Sequence, residues 1–158
     1  MVQNFLLMPL IAKSFAPLGT TFTLISIATG SLWGKPTWGV WWVWDARLTS
    51  MFILLVFYIS YILTWKFIED YDKATKISSI IGIAGMLNLP VIKFSVIWWS
   101  TLHQPSSITL TSAPSIHYSM LFPLIIMLAA ISIYTVIIFL MAYKTELIKI
   151  KINKKNKS

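Results

Sequence analysis

The sequence predicts an all-α fold: a polytopic transmembrane helical bundle of four spans with a tryptophan-rich outer loop. Three observations carry this. Of 158 residues, 57% are hydrophobic and only 11% charged, with a mean hydropathy of +0.76; a soluble domain carries roughly 25% charged residues to cover its surface. The charges delimit four apolar stretches near the ~20 residues that a spanning helix requires. The cations also fall mostly on one side once those stretches are crossed. Having no cysteine excludes disulfides, thiolate zinc sites, iron–sulfur ligation and a cysteine nucleophile.

The first dozen residues hold a short apolar run broken by Pro9 with no preceding cation, which lacks a signal-peptide n-region and reads as a lead-in lying in the interface. Span one covers about residues 14–34, between Lys13 and Lys35, and span two residues 48–65, between Arg47 and Lys66. Span three covers 77–99, interrupted only by Lys93, with Gly82 and Gly85 for close helix approach and a kink expected at Pro90. Span four covers 118–143, and a basic tail, 144–158, comes after it. The spans and short connections form a single membrane domain, and the segment Glu69–Lys73 reads as a solvated turn.

Placing the tail inside gives ten inner cations against three outer ones, Lys35, Arg47 and Lys93, a positive-inside arrangement. The net charge of +8 therefore has a topological use beside anionic lipid. No basic and aromatic residues interleave as a nucleic-acid groove requires, so no nucleic-acid partner is expected. In this orientation seven of eight tryptophans and both histidines, His103 and His117, face outward, with Trp65 alone at the inner boundary. Interfacial anchoring enriches tryptophan on both sides, so the function is expected on the outer face.

Pro36 suits the first turn of a short helix in the outer loop. Trp38, Trp41, Trp42 and Asp45 would then share one face at i, i+3, i+4 and i+7. Such a face is a flat platform for a large planar aromatic ligand, or equally a set of indoles resting among lipid headgroups. Asp45 stands where it caps span two. Arg47 and Lys35 are candidates for ligand carboxylates, snorkelling being the plain alternative. His103 lies four residues after Trp99, so a continuing helix would stack the two rings; it is a candidate axial ligand for haem iron or a surface histidine. His117 begins span four, and its separation from His103 matches no zinc spacing. The sequence carries no Gly-rich phosphate loop, Ser-His-Asp set or paired intramembrane carboxylates, which leaves hydrolase, ATPase and proton-pump functions unsupported.

The run Trp38-Gly39-Val40-Trp41-Trp42-Val43-Trp44-Asp45-Ala46-Arg47-Leu48-Thr49 resembles the WWD signature WGxWWxWDxRLT of haem-handling membrane proteins at every fixed position. With Ala16–Gly19, Gly30–Pro36, Asn88–Pro90 and Trp98–Gln104, it is similar to the cytochrome c maturation protein C family over about residues 16–104. The resemblance implies that Trp38, Trp41, Trp42, Trp44, Asp45 and Arg47 face haem b and that His103 is an axial ligand of the iron. It implies presentation of haem to a periplasmic chaperone, maturation protein E, alongside the small maturation protein D and the ABC-type maturation proteins A and B. A haem-transfer protein of c-type cytochrome biogenesis is expected, not a classical enzyme. Its expected place is a bacterial or mitochondrial inner membrane, with the WWD loop and His103 on the periplasmic or intermembrane-space side.

Family members have six spans and a second ligating histidine between the first two; this sequence matches from the third span onward. His117 is the candidate for the other axial position. The alternative reading is a partner-docking assembly or permease-type subunit of the same system that no longer holds haem by itself. A third reading is a tryptophan-rich scaffold at the lipid interface.

Overall fold

The computed structural model describes residues 2–99, 103, 108 and 114–155, with side chains described from residue 8 to residue 152 of these. Among the described residues there is no strand. Four helices form in order: α1 Val2–Trp38, α2 Ala46–Phe67, α3 Tyr71–Trp98 and α4 Tyr118–Lys155. Each contains a stretch long and apolar enough to cross a membrane, and the protein is a multi-pass helical membrane protein. The chain divides into two compact units, Met1–Gln104 with α1 to α3, and Pro105–Ser158 with α4.

The helices outrun the expected spans because charge limits what enters lipid, not what stays helical. The lead-in expected to lie in the interface is the first part of α1, and Pro36 lies in the last turn of α1 instead of opening a new helix. Tyr71, Asp72 and Lys73, expected in a turn, begin α3. Helix α4 continues through most of the tail, where lysine is a good helix former and Lys149 Nζ donates to Glu146 Oε1 at 2.7 Å. Pro90, where the kink is expected, lies inside α3, which runs on to Trp98.

In the first unit α2 packs against both α1 and α3. The seam of α3 is built from Ala74, Ser78, Gly85, Asn88 and Ser95, all buried and separated by steps of four, seven, three and seven. These small residues let backbones approach, as helix pairs in lipid require, while leucine and isoleucine face outward. The seam's hydroxyls bond within their own helix, Ser78 Oγ to Thr75 O at 3.1 Å and Ser95 Oγ to Ile92 O at 2.9 Å. Gly19 is the close approach on α1: the Tyr58 ring of α2 occupies the space where a Cβ would stand.

One bond across this seam fixes the start of α2. Asn88 Nδ2 donates to Ser50 O at 2.8 Å, a buried link from α3 to the second turn of α2. Ser50 Oγ in turn donates to Ala46 O at 2.6 Å and Arg47 O at 3.0 Å. The start of α2 and the second half of α3 are thereby tied together.

Candidate functional site

The chain leaves α1 at Gly39, whose φ of +79° is the left-handed conformation favoured at helix ends. Gly39 N–H donates to Lys35 O at 3.0 Å, and Lys35 Nζ reaches back to Gly39 O at 3.0 Å. No short helix forms after it. Residues 39–41 bend, residues 42–45 are without helix, and α2 begins at Ala46.

The expected face of Trp38, Trp41, Trp42 and Asp45 therefore does not form, because a positive-φ glycine stands between Trp38 and the rest. The indoles part company. Trp41 is exposed beneath the Lys35 ammonium, 5.8 Å from its ring centroid. Trp42 and Trp44 meet edge to face at 5.4 Å and both rest against Phe52 of α2, at 6.5 and 6.2 Å. Lys35 is occupied with the turn and with Trp41.

Trp38 takes the other direction. Its ring meets Trp33 edge to face at 5.2 Å and the His103 imidazole at 4.8 Å, inclined by 72°. Helix α3 ends at Trp98 with Trp99 as its C-cap, so His103 does not continue a helix with Trp99; the ring it meets, Trp38, lies at the end of α1. His103 Nδ1 lies 2.8 Å from Asp45 Oδ2. The other oxygen, Asp45 Oδ1, accepts from Leu48 N–H at 2.7 Å and caps α2, as the sequence predicts.

A cavity of 390 Å³ opens beside these residues, within the usual range for small-molecule sites. Trp38, Arg47 and His103 line it; Trp41, Trp42 and Trp44 do not. Its α1 wall is formed by Ser26, Thr29, Gly30 and Trp33, which stand at i, i+3, i+4 and i+7. A Cβ built on Gly30 would meet nothing within 4 Å, so at Gly30 the wall is bare backbone facing open space. Met51 of α2 and Ile92 of α3 complete the apolar lining. Trp33 lies on the outer side by charge count, but nothing in the local sequence marks the α1 face of Ser26, Thr29 and Gly30 as a wall.

His117 belongs to the second unit. Its carbonyl accepts from Met120 and Leu121 N–H at 3.0 and 3.1 Å, and its Nδ1 lies 2.8 Å from Ser119 Oγ. This is the arrangement of a residue that starts a helix.

The chain matches the family described as Heme exporter protein C over residues 1–158. It is 42% identical to Heme exporter protein C of Bradyrhizobium diazoefficiens over 138 residues, 87% of this chain and 52% of that protein. Against Heme exporter protein C of Haemophilus influenzae the identity is 43% over 136 residues, 86% of this chain and 55% of the relative. A putative cytochrome c biosynthesis ccmC-like mitochondrial protein of Marchantia polymorpha is 45% identical over 135 residues, 85% of this chain and 56% of its own. The chain spans about half the length of these curated relatives.

Proposed function

The chain belongs to the heme exporter protein C family, and on that premise we propose that it holds haem b as cargo at one membrane face and passes it on for assembly of c-type cytochromes. The residues around the cavity suit that cargo. A porphyrin offers a flat apolar ring, carboxylates at one edge and an iron that accepts imidazole nitrogen. Trp33, Trp38, Met51 and Ile92 supply apolar contact, and the bare backbone at Gly30 gives a plane room to lie against α1. Arg47 supplies a planar, bidentate donor for a carboxylate. Haem bound there would bring the iron centre that the recipient needs; this chain's residues bind it, orient it and shield it from water.

The observation that carries the reading is the meeting of His103, Trp38 and Arg47 on one cavity. They come from three separate segments, and each matches one part of the cargo. The remaining tryptophans of the signature, Trp41, Trp42 and Trp44, hold the loop that delivers Asp45 and Arg47. The site faces the periplasm or the intermembrane space. The recipient is a haem chaperone of the maturation protein E type, working with the small maturation protein D and the ABC-type maturation proteins A and B.

Purification in detergent from haem-replete cells tests this directly. The wild-type chain should show a Soret absorption band, and His103→Ala should weaken and shift it. A wild-type spectrum without that band, or one unchanged by His103→Ala, defeats the reading.

A further inference from the structure

We infer that Asp45 is the positioning residue that makes His103 a ligand. The inference deepens the haem-binding reading and rests on it for its purpose, but its geometry is independent of any cargo. The side chains of Asp45 and His103 are only 8% and 18% exposed, and their contact joins residues 58 apart in sequence. A carboxylate has no hydrogen to give, so the hydrogen of the 2.8 Å contact sits on His103 Nδ1, and in the neutral imidazole Nε2 then carries the lone pair. Only that tautomer offers Nε2 to a metal, and a carboxylate behind the imidazole also raises its basicity as a ligand. The Trp38 ring, inclined by 72° to the imidazole, restrains its plane from a second side.

Asp45 can do this because its two oxygens are divided between two tasks. Oδ1 holds Leu48 N–H at the start of α2, and Oδ2 holds His103 Nδ1. Two acceptors are needed at once, and the carboxylate is the side-chain group of this size that supplies them. Asparagine has one. With its oxygen on Leu48 N–H, its amide presents N–H to Nδ1, which moves the imidazole hydrogen to Nε2 and closes the coordinating position.

The test uses the full chain in detergent, first without haem, with 15N-labelled histidine and with His117→Gln so that His103 alone is observed. Nitrogen chemical shifts should show the Nδ1–H tautomer with Asp45 and a move toward Nε2–H in Asp45→Asn. In haem titrations Asp45→Asn should bind about 10–100-fold more weakly, the usual cost of removing a ligand's hydrogen-bond partner. Free imidazole should restore its ligated spectrum, which shows that the cavity itself is intact. The same tautomer and affinity in both proteins overturns the inference. So does a loss that imidazole fails to restore, because Asp45 then acts through the fold and not through His103. If the wild type takes up no haem, the haem reading fails, while the tautomer measurement still decides the role of Asp45.

Discussion

Two aspartates stand before two helices of the same unit, and they do the same structural work. Asp45 caps α2 through Leu48 N–H, and Asp70 caps α3 through Asp72 and Lys73 N–H at 3.0 and 3.1 Å. They differ in the second oxygen. Asp70 Oδ2 lies 3.8 Å from Lys73 Nζ, with side chains 50% and 75% exposed, a contact that water and salt reduce to little. Asp45 Oδ2 meets an imidazole in a nearly closed environment beside a cavity. The surroundings differ in the same sense. At the α2–α3 turn Trp65 tilts against Tyr71 at 5.5 Å with the Lys13 ammonium 5.3 Å from its ring, an arrangement of anchors. At the α1–α2 turn the aromatics frame a histidine and an arginine. An abundance of tryptophan at a helix end therefore says little; what the neighbouring polar atoms are spent on says what the end is for.

Replacing each aspartate by serine breaks this contrast most sharply. Serine caps helices about as well as aspartate, so thermal unfolding followed by tryptophan fluorescence should move little for either variant. Haem affinity should fall about 10–100-fold for Asp45→Ser and stay unchanged for Asp70→Ser. Equal affinities would show that the second oxygen is idle at both ends. The cavity supplies the next test. Gly30→Leu fills the bare wall and should weaken haem binding by about 1–3 kcal/mol, the scale of overpacking in a filled site. Gly82→Leu, with equally open space on α3 but away from the cavity, should leave a spectral titration unaltered. The smallest effect belongs to Lys73→Ala, where removing the exposed partner of Asp70 should change unfolding by less than about 0.5 kcal/mol. A larger loss would mean that the α2–α3 turn depends on that pair.

Much of the fold was legible in the sequence because lipid imposes a simple rule: four charge-bounded apolar stretches become four helices. Helix ends were less legible. Lysines do not end a helix, and Pro36 suits a helix start by composition although the chain stays helical through it and stops at Gly39. The cap at Asp45 was readable from local order, since N-capping is decided within three residues. Its bond to His103 was not, because no periodicity links positions 58 apart. The spacing i, i+3, i+4, i+7 expected across Trp38, Trp41, Trp42 and Asp45 does exist at the site, but it lies further back along α1, at Ser26, Thr29, Gly30 and Trp33. Small and hydroxylated residues facing a cavity look the same in sequence as those facing a neighbouring helix.

The division of Asp45 between Leu48 and His103 also bears on which insertions and deletions the protein tolerates. The start of α2 is counted from that carboxylate, and so is the reach of the chain beyond α3. Only three positions separate Trp99, the C-cap of α3, from His103, and each residue extends a chain by at most about 3.5 Å. With Asn88 holding α3 to Ser50, neither end can slide to absorb a change in length. Loops are ordinarily where length varies most freely. Between Gly39 and Asp45 the number of residues is held as tightly as the identity of those two end residues, and a single deletion there should do more harm than substitution of Val40 or Val43.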